Sequence, residues 1–225
     1  MILHVPEYDP DAPVIVINVG NSRASLATWQ SNELKTPLFV PTTDEGAFEK
    51  AFMGHAAECP KGRPAATIIG SVVPAALKRI CEFVSDRMGK EALVVGESVP
   101  LPMDVDVEDE RAIGVDRVCA AAMAYEKIQA SCTVVDFGTA VTVDLVDDEG
   151  TLLGGAILPG LRMQFRALHS NTAQLPEVEP GFPESPYGRN TTEAIQTGVC
   201  RGLIGAVRGL VESYATSLNR WPQVV

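Results

Sequence analysis

Basic residues, histidines and paired cysteines are all scarce in this 225-residue chain, and each shortage removes a class of function. Lys and Arg number 18 against 29 Asp and Glu, for a formal net charge of −11. General nucleic-acid binding rests on phosphate neutralisation by basic side chains, so this balance argues against it. His4, His55 and His169 are dispersed, and Cys59, Cys81, Cys119, Cys132 and Cys200 include no C-x-x-C pair. The cysteines read as buried thiols in a reducing cytoplasm rather than as disulfides or zinc ligands. No uncharged apolar run approaches the ~18 residues needed to span a bilayer. The longest candidate, residues 150–161, is broken by glycines and Pro159. Residues 1–13 carry Pro6, Pro10 and Pro13 among Glu7, Asp9 and Asp11. They read as an acidic extension, with neither the basic start nor the apolar centre of a secretory signal.

What the chain does contain is one pattern written twice. Val14-Ile15-Val16-Ile17-Asn18-Val19-Gly20-Asn21-Ser22 returns, reshaped, as Thr133-Val134-Val135-Asp136-Phe137-Gly138-Thr139-Ala140. Each copy is an apolar β-branched run, a carboxylate or its amide, one residue, a glycine, and small polar groups. A second extended run follows each, over 24–29 and 141–146. A strand, a glycine turn and a returning strand make a hairpin whose backbone N–H groups and hydroxyls can hold phosphate oxygens. An acidic side chain at the turn can hold the accompanying metal. A polyanion bound by so acidic a protein must be held locally in this way, which suits ATP.

Around these hairpins, residues 33–40 read as a strand and 44–58 as a helix capped by Thr43 or Asp44. Residues 66–73 read as a buried strand, and Pro74 opens a helix to about Met88. Residues 92–95 make a further short strand, so the order β-β-β-α-β-α-β fills 14 to about 95. Residues 97–111, with Pro100, Pro102, Asp104, Asp106, Glu108, Asp109 and Glu110, read as a solvated connector. A helix from about Val115, the second hairpin, a strand over 151–158 and a helix over 161–170 follow. Residues 174–189 are loop, and 191–219 form a helix with Ile195, Val199, Leu203, Val207, Leu210 and Tyr214 as its buried stripe. Residues 222–225 look like the start of a strand. The domains expected are an acidic extension (1–13) and two halves, 14–112 and 113–225, the second ending in mid-element.

Three further segments can carry chemistry. Gly114-Val115-Asp116-Arg117 precedes a helix. It is either a plain helix start with an acidic first turn, or a carboxylate placed to accept a proton from a hydroxyl attacking a phosphoryl group. In the second reading Arg117 neutralises or orients an anionic substrate. The paired glycines of Gly154-Gly155-Ala156-Ile157-Leu158-Pro159-Gly160 either weaken a strand before a Pro-Gly turn or leave room for a ligand or another backbone. Asn190-Thr191-Thr192-Glu193 is a capping box, and a helix N-terminus that is capped can also touch substrate.

Taken together, the order and spacing of these motifs resemble the type III pantothenate kinases over residues 14–225. The resemblance implies an α/β fold of two ribonuclease H-like halves, as in the actin-like ATPase and sugar kinase superfamily, facing each other across a nucleotide. It implies a cytoplasmic homodimer, active at the subunit contact, that uses ATP, magnesium, and potassium or ammonium to phosphorylate pantothenate, the first step toward coenzyme A. By the same resemblance Asp116 is the general base, and Gly114, Val115, Asp116, Arg117 and Thr191 bind pantothenate. Asn18, Val19, Gly20, Asn21, Ser22, Arg23, Ala24, Ser25 and Thr139 bind ATP, and Asp136 ligates the monovalent cation.

The chain departs from that family in three places. Asn18 stands where the family's first loop opens with aspartate, and an amide oxygen brings no charge to a hard cation. The acidic stretch 106–110 replaces an aromatic-and-proline segment before Gly114. The sequence also ends before the family's threonine-glycine-glycine loop near the adenine. Two readings therefore stand: a working kinase, or a kinase-like binding or regulatory protein of the same fold.

Overall fold

The computed structural model describes residues 11–110 and 112–225, so most of the acidic extension lies outside the described residues. The chain divides into two compact units. One contains the residues through Leu101 together with Gly114–Asp116; the other contains Pro102–Ile113 and Arg117–Val225.

In the first unit, β1 (Val14–Val19) pairs antiparallel with β2 (Arg23–Gln30) and parallel with β5 (Ala66–Ser71). The alternation expected of a half-buried strand places Ile15, Ile17 and Val19 in the core. Beyond β2 the expected single strand over 33–40 is two short ones, β3 (Glu33–Leu34) and β4 (Leu38–Pro41), each paired to β2. Pro37 between them lacks the N–H that a continuous ladder needs. Short β6 (Leu93–Val94) extends the sheet beyond β5 in parallel.

Helix α1 (Glu45–Ala57) begins at Asp44, whose side chain accepts from the Ala47 N–H at 2.9 Å. Of the two caps anticipated, Asp44 therefore serves. Helix α2 (Pro74–Met88) opens on proline at its first turn, where the missing donor costs nothing. Phe48 and Phe52 of α1 meet Phe83 of α2 edge-to-face, at centroid distances of 6.2 and 5.5 Å. These rings pack with Ile15, Leu26, Ile69, Ile80 and Val84 into one core.

The second unit repeats the plan. After α3 (Val115–Ile128), which starts in the first unit's segment, β7 (Cys132–Phe137), β8 (Ala140–Val146) and β9 (Leu152–Pro159) form an antiparallel meander. Helices α4 (Leu161–Ser170) and α5 (Thr191–Leu218) follow. The last strand, β10 (Gln223–Val224), then pairs parallel with β7. It stands to β7 as β5 stands to β1. Ile195, Val199, Leu203 and Val211 of α5 are buried, and Val141 and Val143 of β8 pack with Leu203, Val207 and Leu210.

Two further expectations need revising. The connector is not simply solvated loop: Asp106 N–H donates to the Leu152 carbonyl at 2.9 Å, and Leu152 N–H donates to the Asp104 carbonyl at 3.0 Å. The backbone around Val105 thus adds to the edge of β9, with its acidic side chains alternating outward. Nor are all the thiols buried. Cys59, Cys132 and Cys200 are, but Cys119 is exposed and Cys81 half-buried.

Candidate active site

The first hairpin turns at Gly20, whose N–H donates to the Arg23 carbonyl at 3.1 Å. Asn18 is exposed at the end of β1, with Ser25 and Gly70 as its lateral neighbours on β2 and β5. Asn21, Ser22 and Arg23 are exposed, and the Arg23 guanidinium lies over the Phe39 ring. Val19 and Ala24 are different, because their side chains are fully in the core. Whatever those two offer a nucleotide comes from the backbone. The turn is braced by Thr42, a residue that no sequence pattern marks. Its hydroxyl donates to the Gly20 carbonyl at 2.7 Å and its N–H to the Ser22 carbonyl at 3.2 Å. Arg79 in turn donates to the Thr42 carbonyl.

The second hairpin is one residue tighter, with the Gly138 N–H donating to the Ala140 carbonyl at 2.9 Å. Asp136 is exposed and lies opposite Thr142, as Asn18 lies opposite Ser25. Each half thus sets an amide or carboxylate beside a hydroxyl at the mouth of its hairpin. Gly160, where β9 gives way to α4, donates to the Thr139 carbonyl at 3.1 Å. A Cβ on Gly160 would collide with the carbonyls of Gly138 and Thr139. Only glycine lets the Pro159-Gly160 turn lie so close to the loop, so the Pro-Gly signal is a support for the hairpin.

That turn also borders a groove of about 1040 Å³ between α4 and the start of α5. Leu168, Leu175 and Ile195 give it apolar walls, and Gln164, Arg189, Asn190 and Thr191 are among its polar lining residues. This mixture, apolar with a few convergent polar groups, is what small-molecule sites show. Asn190 caps α5 by accepting from the Glu193 N–H at 2.9 Å. Glu193 reaches back one residue further than in the usual box, to the Arg189 N–H. Thr191 is thereby fixed at the first position of α5, beside the groove. Hence Thr139, the Gly160 turn and Thr191 are brought into one contiguous region of the second unit.

Asp116 and Arg117 occupy the first turn of α3. Arg117 forms a two-pronged ion pair with Asp144 of β8: Nε donates to Oδ1 at 3.0 Å and to Oδ2 at 3.2 Å, and Nη2 also engages Oδ1. Asp144 is only 2 % exposed. Sequence reading passed over it, although a lone carboxylate inside the apolar run 141–146 is the kind of signal that marks a buried partner. Nearby, the Tyr214 hydroxyl donates to the Val143 carbonyl. Burial and the Asp144 charge push this phenol above its usual range, while Arg117 opposes the shift.

Among the described residues no group of three or more His, Cys, Asp or Glu side chains forms a metal cluster. The donors present, a single carboxylate beside hydroxyls and backbone carbonyls, fit an ion that keeps waters and phosphate oxygens as its other ligands. No helix among the described residues is long and apolar enough to cross a membrane.

Comparison with known proteins identifies the family. The type III pantothenate kinase family model matches residues 14–213. A type III pantothenate kinase of Anaeromyxobacter sp. strain K is 34 % identical over 220 residues, covering 94 % of this chain and 85 % of that protein. One from Moorella thermoacetica is 32 % identical over 203 residues, covering 88 % and 80 %. A solved structure from Campylobacter jejuni, assigned to the Baf family of transcriptional activators, shares the fold with a TM-score of 0.54 at 18 % identity. It covers 87 % of this chain and 78 % of its own. The chain therefore belongs to the type III pantothenate kinase family.

Proposed function

We propose that this protein transfers the γ-phosphoryl group of ATP to the primary hydroxyl of pantothenate, giving 4′-phosphopantothenate and ADP, the first step of coenzyme A synthesis in the cytoplasm. The observation that carries the reading is the match to type III pantothenate kinases across nearly the whole chain, with the motif residues at element ends. Nothing observed favours a catalytically impaired regulator over the enzyme.

In this reading Asp116 accepts the hydroxyl proton as the oxygen attacks phosphorus in line, and the bond from phosphorus to the ADP oxygen breaks. Arg117 and Thr191 hold and orient pantothenate, with Gly114 and Val115 shaping the approach. The amides of 18–25 and the Thr139 loop hold the phosphates. Positioning and charge stabilisation supply most of the acceleration, because this transition state needs little covalent help. Magnesium would be held on the phosphates near Asn18, and potassium or ammonium near Asp136; when bound they offset phosphate charge.

A homodimer fits the outer face of α5. Gly198, Gly202, Gly205 and Gly209 recur along one stripe of the helix and have open space at their Cβ positions. Small residues in such a row let a second helix approach closely. Sedimentation of a species of twice the monomer mass supports that assembly; a monomer at assay concentration refutes it.

The activity is tested by ADP release in the presence of ATP and magnesium. Release that requires both pantothenate and potassium is the expected result. Release independent of pantothenate contradicts the proposed acceptor.

A further inference from the structure

The Arg117–Asp144 pair is built rather than incidental. Three features of its surroundings fit it to a partner: its burial, the glycine beside it and the guanidinium that faces it. Asp144 lies in the middle strand of the β7–β8–β9 meander and is almost wholly enclosed. A buried carboxylate without a partner is strongly disfavoured. Its lateral neighbour on β9 is Gly155. A Cβ there would collide with Asp144 Oδ1 and with the Val143 carbonyl oxygen. The second glycine of the Gly154-Gly155 pair therefore makes room for the neighbouring β8 backbone and for this carboxylate. On the other side Arg117 presents its Nε edge, the planar two-donor geometry that fixes a guanidinium in orientation as well as position.

We propose that Asp144, seated by Gly155, is a positioning residue. It locks the Arg117 guanidinium on the first turn of α3 so that Arg117 meets the anionic acceptor substrate in one fixed orientation. This rests on the reading of Arg117 as a pantothenate contact. Asp144 touches neither substrate and acts through Arg117 alone. One consequence is specificity: an arginine half-neutralised by a buried carboxylate attracts polyanions less than a solitary one, and holds a substrate by aligned donors.

The test is steady-state kinetics in each substrate for the wild type, Arg117→Ala, Asp144→Asn and the double variant, with melting temperatures alongside. Misplacing a positioned group commonly costs on the order of 10²-fold. We expect Asp144→Asn to lower kcat/KM for pantothenate on that order, mainly through KM, with KM for ATP changed less than about twofold. We expect the double variant to be no worse than Arg117→Ala, because both changes remove the same contact. An Asp144→Asn protein that melts earlier yet keeps its pantothenate KM would overturn the proposal, as would effects that multiply. If Arg117→Ala leaves the pantothenate KM unchanged, the reading of Arg117 itself fails and this inference fails with it. If Arg117→Ala raises that KM and Asp144→Asn does not, only this inference fails.

Should Asp144→Asn not fold, the comparison moves to the double variant, which leaves neither charge buried without its partner, and to Arg117→Ala supplied with free guanidinium ion. Free guanidinium ion restores pantothenate use to Arg117→Ala, where the Asp144 carboxylate captures it, and not to the double variant. Equal restoration in both would overturn the proposal.

Discussion

Asn18 stands directly opposite Ser25 across the first hairpin, in the relationship that Asp136 and Thr142 hold in the second. At this position one loop carries an amide where the other carries a charge. In the proposed reaction, which brings phosphates and magnesium to this loop, that charge matters. Asn18→Asp is predicted to raise kcat about tenfold or more, since one electrostatic contact of this type is commonly worth ~10²-fold. Turnover with saturating pantothenate measures it. An unchanged kcat in a folded protein shows that this position is not limiting.

Gly160→Ala tests the support under the second loop. The new methyl would meet two backbone carbonyls, which move only if the hairpin turn moves. The expected destabilisation is about 1–3 kcal/mol, typical of overpacking. KM for ATP should rise together with the loss in denaturation midpoint. An intact ATP KM would separate this turn from the nucleotide.

Asn190→Ala removes the cap of α5 and the anchor of Thr191 together. Loss of such a cap costs about 1 kcal/mol. Equilibrium denaturation should register that loss, and KM for pantothenate should rise while KM for ATP holds.

The thiols divide by environment. Burial pushes Cys59 and Cys132 up; Cys81 is pushed up by burial and by Glu97, Glu91 and Glu82. Cys119 is exposed. A thiol reagent at neutral pH should therefore modify Cys119 first, and Cys119→Ser should abolish the fast phase. The same shifts set an alkaline limit. Where the folded thiols hold their protons and the unfolded ones release them, the unfolded state binds fewer protons and stability falls as pH rises. The loss should begin near the ordinary thiol value of 9.0 and continue above it. Denaturation midpoints from pH 7 to 10 measure it.

Local signals carried far in this chain. The β-branched runs with their glycine turns, Pro74 at the start of α2 and the period of α5 all lie in neighbouring residues, so their elements were legible before any tertiary contact was known. Asp144 was not, because its role depends on an arginine 27 residues earlier in the chain and a glycine on the next strand. Thr42 was invisible for the same reason: only folding brings its hydroxyl to the Gly20 carbonyl. The Val105 edge pairing was hidden by acidic neighbours that read as solvated loop, since charge pattern reports side chains and not where the backbone bonds. Val19 and Ala24 show the converse, as motif positions whose side chains belong to the core.

The central claim is phosphoryl transfer to pantothenate with Asp116 as the base. Mass detection of 4′-phosphopantothenate formed from ATP and pantothenate, in wild type and in Asp116→Asn, tests it most directly. The account predicts product from the wild type, and at least ~10²-fold less from a folded Asp116→Asn protein, the lower range for a lost general base. No product from a folded wild-type protein at saturating ATP, magnesium and potassium, or equal product from the variant, would contradict it.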